Sequence, residues 1–123
     1  MILADTSVCI DHFHSENSQL VNLLDSREVL MHPMVIGELA CGNLPNRTAT
    51  LTRLKRLPLS PVASDDIVLS LIERHRPMGR GIGYGYIDAH LLASVSIAGA
   101  DLLWSRDRRL MNAAAGLGLA WSS

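Results

Sequence analysis

The chain has 123 residues, 48% of them apolar, a mean hydropathy of +0.20 and a formal net charge of −1. That is enough apolar material for one buried core and points to a single domain over residues 1–123. With aromatics at 4% the core must be aliphatic and base-stacking platforms are few, so recognition by backbone charge and shape is expected over extensive stacking. Two cysteines in separate segments, Cys9 and Cys41, give neither a disulfide scaffold nor the CxxC spacing of a zinc site, so a reducing, cytoplasmic setting is expected.

In chain order, "ILA" reads as a short buried strand running into a helix whose start is marked by the capping residues "DTS". The N-terminus lacks the basic region of a signal peptide, and the longest uncharged run, 110–123, is too short to span a bilayer, so no membrane association is expected. "SENSQLVNLLDS" predicts a helix capped by Ser or Asn, and "EVLMHP" a second strand stopped by Pro33. Pro33 also suits the first turn of the next helix, which Gly42 or Asn43 closes. "NRTATLTRLKRL" predicts a basic amphipathic helix, "LSPV" a third strand, and "ASDDIVLSLIERHR" a capped helix with Ile67, Leu71 and Ile72 inward. Four alternate glycines in "PMGRGIGYGY" argue for a loop. "IDAHLLASVSIAGA" predicts a buried helix, "DLLWS" a fourth strand, "RDRRLMNAAAG" a helix ending at Gly116, and "LGLAW" a possible fifth strand. Short apolar strands alternating with helices define an α/β sandwich around a mostly parallel sheet of four to five strands.

In such sheets, sites form at the carboxyl ends of strands. Four acids fall there: Asp5 after the first strand, Glu38 in the helix after the second, Asp88 at the start of the buried helix, and Asp107 after the fourth. Glu38 is the only charged residue from Pro33 to Asn46, and Asp88 the only one between Gly81 and Ala100. Each acid has an ordinary role available, capping for Asp5 and Asp88 and arginine pairing for Asp107, but Glu38 has none in the middle of its helix. An isolated carboxylate in an apolar setting is costly unless something compensates it. Clustered oxygen ligands suit Mg²⁺ or Mn²⁺ rather than Zn²⁺, and the matching chemistry is phosphodiester hydrolysis.

Setting those four acids aside leaves eight against eleven Lys and Arg, a mildly basic scaffold. The bases gather in "RLKR", "ERHRPMGR" and "SRDRR", as expected for phosphate contacts. Arg80 and Tyr84 on the glycine loop, with Arg106 and Arg108, are the candidate RNA contacts.

The segments "LADTSVCIDHF", "VIGELACG", "GYIDAHLLAS" and "LLWSRDRRL", each carrying its acid in register, resemble those of PIN-domain ribonucleases of the VapC toxin type. The resemblance covers the whole chain. It implies a PIN-like three-layer sandwich and a Mg²⁺- or Mn²⁺-dependent endoribonuclease that inhibits translation by cutting a structured RNA, commonly tRNA or ribosomal RNA. Asp5, Glu38, Asp88 and Asp107 become the catalytic and metal-binding acids, supported by the hydroxyls of Thr6, Ser7 and Ser105. It further implies a homodimer and a VapB-type antitoxin lying across the groove. Cys9 and Tyr86 stand where the family often has Trp.

Other patterns are weaker. His12 and His14, two apart, fall on different faces of a helix, so a zinc site with His32 is disfavoured, and His90 reads as a core or groove histidine. Neither cysteine lies in a nucleophile signature, and the glycine loop lacks a Walker ending. The alternatives are a catalytically inactive PIN fold serving as an RNA- or protein-binding module, and a phospho-accepting receiver-like domain. The latter needs a late lysine, whereas the only one here is Lys55.

Overall fold

The computed structural model describes residues 1–122; Ser123, the last residue of the expected domain, lies outside the described residues. Three short parallel strands, β1 (Ile2–Ala4), β2 (Val29–Leu30) and β3 (Leu102–Trp104), form a sheet of order β2-β1-β3. Leu3 pairs with Leu30 on one side and Leu103 on the other, and Leu3 and Leu103 are wholly buried. Parallel strands buried in this way need helices across them, and the chain supplies them. Among the described residues these are α1 (Thr6–His14), α2 (Ser18–Asp25), α3 (Pro33–Cys41), α4 (Arg47–Arg56), α5 (Asp65–His75), α6 (Tyr86–Ala98) and α7 (Arg108–Gly116). The α/β class expected from the sequence is therefore present.

The strand count is smaller than expected. "LSPV" and "LGLAW" each contribute one isolated parallel bridge, Met31 to Leu59 and Leu103 to Ala120. Pro58 and Pro61 flank the first of these, and a proline has no N–H to extend a ladder. The second follows Gly118, which turns the chain at φ +71°.

Helix starts follow side-chain caps. Asn17 accepts from the Leu20 N–H, and Ser64 from the Ile67 N–H. At α3 the cap is His32, whose Nδ1 accepts from the Met34 N–H, with Pro33 at the first helical position. Two ends differ from expectation. Gly116 is the last residue of α7 rather than its cap, which is Leu117, and Gly118 takes the left-handed turn beyond. In α5 the inward face is Val68 and Leu71; Ile67 is 39% exposed, because the helix register set by Ser64 turns it outward.

Helix α6 is the central pillar. Residues 89–95 are all buried, so the helix is covered on every side, packed between α5, α7 and β3. A polar group there must find partners. The Ser94 hydroxyl does so by donating to the His90 carbonyl at 2.8 Å and accepting from the Ala63 N–H at 3.1 Å. His32 Nε2 lies 3.0 Å from the same oxygen. Because His32 Nδ1 is an acceptor, Nε2 carries the proton and donates to Ser94. Burial, then the neighbouring His90, lowers the His32 pKa to about 4. His32 is therefore a neutral structural strut joining α3, α6 and the 57–64 connection.

Candidate active site

The chain leaves β1 at Asp5 and β3 at Ser105, and these adjacent parallel strands deliver both residues to one edge of the sheet. Asp5 is 4% exposed and caps α1. Its Oδ1 accepts from the Val8 N–H at 3.1 Å and the Ser7 hydroxyl at 2.6 Å, while Oδ2 accepts from the Ser105 hydroxyl. Ser105 in turn accepts from the Asp107 N–H, and Ser7 from the Arg106 N–H, each at 2.9 Å. Two serines thus staple the loop after β3 to the loop after β1. Asp107 caps α7, its Oδ1 accepting from the N–H groups of Arg109 and Leu110. The arginine pairing that seemed available to Asp107 is not made among the described residues: Arg106 pairs with Asp11 at 2.7 Å.

Glu38 corrects one expectation. It is not buried in its apolar segment: with Gly37 it lies on the exposed side of α3, while Val35 and Leu39 face the core. Its Oε1 accepts from the Thr6 hydroxyl at 2.6 Å, which turns it toward α1 and the edge holding Asp5. Asp88 is not a cap either. Gly85 occupies that position, and Asp88 sits in the first turn of α6, half-buried.

The four acids act on one another. The Asp88 carboxyl is raised to about 6, first by burial and then by the charges of Asp5, Asp107 and Glu38 in that order, with no hydrogen bond among the causes to offset them. Four segments far apart in sequence therefore bring carboxylates near enough for three of them to act on the fourth. Among the described residues no three His, Cys, Asp or Glu side chains close into a ligating group. Like-charge repulsion acts between the acids, and only a cation or protons can draw them together.

The remaining candidates separate by position. Arg80 and Arg108 are exposed, Arg106 is tied to Asp11, and Tyr84 is half-buried with its hydroxyl shielded and unpartnered. The histidines do not gather for zinc: His12 Nδ1 accepts from the Asn17 N–H, His14 is exposed and His32 is sealed in the core. The Cys9 thiol is pushed up to about 12, chiefly by burial and then by Asp5, which leaves it protonated and inert. Sequence reasoning missed the His32 cap, the Ser94 hub and Arg109, whose guanidinium reaches the Gly83 carbonyl. The only local signal for the first was a histidine directly before Pro33 at a helix start.

Comparison with known proteins agrees with this arrangement. The PIN domain family matches residues 2–116. Ribonuclease VapC32 of Mycobacterium tuberculosis, from strain CDC 1551 / Oshkosh and from strain ATCC 25618 / H37Rv, is 46% identical over 120 residues, covering 98% of this chain and 95% of the relative. A match of that extent places the chain in the PIN domain family, among its VapC-type members.

Proposed function

We propose that the protein is a Mg²⁺- or Mn²⁺-dependent endoribonuclease toxin that hydrolyses phosphodiester bonds of a structured RNA, tRNA or ribosomal RNA. The observation that carries this reading is the Asp88 carboxyl, raised to about 6 first by burial and then by the charges of Asp5, Asp107 and Glu38. A structural acid would be paired; a group of acids held in mutual repulsion suits a divalent ion. The donor set fits such an ion: it is all oxygen, and its charge is uncompensated by any basic side chain bonded to Asp5, Glu38, Asp88 or Asp107 among the described residues. Those four acids would hold it.

When bound, the ion supplies an activated water and neutralises charge on the phosphate and the leaving oxygen. The protein's own groups prepare the site. Ser7, Ser105 and the Val8 N–H fix the plane of the Asp5 carboxylate, and Thr6 fixes Glu38. Asp88 holds a proton below about pH 6 and is an anion above it, so the full ligand charge develops toward neutral pH. Arg106, Arg108 and Arg80 lie on exposed segments suited to RNA phosphates.

The reading brings partners with it: a homodimer in the cytoplasm, silenced by a VapB-type antitoxin whose segment covers the acid groove. No described helix is long and apolar enough to cross a membrane. The test is cleavage of total RNA by purified protein. Cutting only with Mg²⁺ or Mn²⁺, leaving 5′-phosphate and 3′-hydroxyl ends, is expected. Equal cutting in EDTA, or cyclic phosphate products, contradicts the proposal.

A further inference from the structure

Alongside α6 and α7 lies a cavity of about 360 Å³, at the lower end of the ~300–1,000 Å³ usual for small-ligand sites. It opens between the glycine loop and α7. Its apolar lining includes Leu92, which is wholly buried, and the half-buried Ile82 and Ala113. Its polar groups are His75, Tyr84, Arg109 and Asn112.

Three features suggest that these polar groups face a ligand. The Tyr84 hydroxyl is shielded from solvent yet has no hydrogen-bond partner among the described residues, an arrangement that folded proteins avoid. Arg109 makes one long bond, 3.3 Å from its Nη1 to the Gly83 carbonyl, and no carboxylate pairs with it among the described residues. Arg109 is exposed, so its other guanidinium donors are open to solvent and free to meet a ligand. Asn112 follows one turn along the same face of α7 and contributes an amide that can both donate and accept. Gly83 is favoured there by its backbone: its φ is +91°, while a Cβ would make only ordinary contact, 3.8 Å from the Arg109 Cδ.

The cavity is also placed by the helices of the proposed centre. Asp88 and Leu92 are four residues apart on α6, hence on one face and one turn from each other. Asp107 caps the helix that carries Arg109 and Asn112. A ligand in the cavity would therefore lie about one helical turn from Asp88 and on the helix that Asp107 caps. An apolar slot edged by a hydroxyl, a guanidinium and an amide matches a nucleobase, which has two apolar faces and a hydrogen-bonding edge.

We propose that the slot formed by Ile82, Tyr84, Leu92, Arg109, Asn112 and Ala113 is a base-reading subsite, taking the nucleobase of the nucleotide beside the scissile phosphate. This rests on the ribonuclease reading above for the identity of its ligand. Tyr84, Arg109 and Asn112 then choose which base is accepted, so the cut site depends on sequence as well as RNA shape.

The test is a binding titration that requires no cleavage. The four nucleoside 5′-monophosphates, ribose 5-phosphate and inorganic phosphate are added in turn to the Asp88→Asn protein, and amide shifts of residues 82–84 and 109–113 are followed by NMR. One nucleotide is expected to bind best. Its affinity should fall about five- to tenfold in Asn112→Ala and in Tyr84→Phe, the scale of one lost hydrogen bond. Cut-site sequencing with the otherwise wild-type variants should show a relaxed base preference at one fixed offset. Equal affinity for all six compounds overturns the proposal, because the slot would then read phosphate alone, as does an undiminished preference in both variants. If nucleotide binding is selective while the wild-type protein cuts no RNA with any divalent ion, the ribonuclease reading fails and the subsite stands. If the protein cuts but these residues do not respond to any nucleotide, the subsite fails alone.

Discussion

Helices α3 and α6 each carry polar residues for two purposes, and the two ends of this pair behave oppositely. At Ser94 the hydroxyl is fully answered: His32, the Ala63 N–H and the His90 carbonyl fill its donor and acceptor capacity, while the buried His90 Nδ1 close by has no partner among the described residues. Asp88 itself makes no side-chain hydrogen bond among the described residues, and burial first, then three carboxylates, push its proton affinity up. The first cluster is what a fold does with polar groups it must bury; the second is what it tolerates only where a ligand completes the arrangement. Satisfaction marks structure here, and repulsion marks the site.

The comparison breaks most sharply at Asp88. Asp88→Asn should lower metal-dependent RNA cleavage by about 10²–10³-fold or more, measured as initial rates with Mn²⁺, while the far-ultraviolet circular dichroism stays that of the parent. At the satisfied cluster the effect moves from activity to stability. Ser94→Ala leaves the His32 Nε2–H and the Ala63 N–H buried without an acceptor, which should cost about 2–3 kcal/mol in urea unfolding. Cleavage per folded molecule should be unchanged.

Ser105→Ala tests the border between the two behaviours. It removes a donor to Asp5 and an acceptor for the Asp107 N–H, and should weaken Mn²⁺ binding about 10- to 100-fold with a smaller loss of stability.

The smallest effects are in pH. For the metal-free protein Asp88 is raised from 3.8 to about 6, so its stabilising contribution is full below pH 3.8 and is lost as pH rises through 6. Asp88→Asn should then stabilise the metal-free protein by about 1 kcal/mol at pH 7.5, after allowance for solvent screening, and have little effect near pH 4. His32 runs the other way. Lowered from 6.5 to about 4, it contributes fully above pH 6.5 and loses about 2 kcal/mol as pH falls toward 4. Acid unfolding of metal-free Asp88→Asn should be steeper than that of the wild type, since the opposing contribution is gone.

The contrast also explains what the sequence makes legible. Glu38 and Asp88 stand out because a charge inside an apolar run is visible in one dimension, whereas Asp5 and Asp107 are marked by following apolar strand segments. Alternating apolar runs with Ser, Asn and Asp at their starts revealed the order of strands and helices. What stayed hidden depends on long-range packing. Ser94 looks like any small residue in a buried helix until residues 32 and 63 are placed against it. The exposure of Glu38 and Ile67 follows from helix register, which apolar composition alone does not fix. The third and fifth strands shrank to single bridges because pairing is a property of two segments, and Pro58 and Pro61 denied one of them its donors.

A calorimetric titration of Mn²⁺ into the purified wild-type protein and Asp88→Asn at pH 7.5 tests the shared carboxylate site most directly. Saturable uptake by the wild type, weakened at least tenfold in the variant, is the predicted result. Equal uptake by both proteins, or none by either, would contradict it.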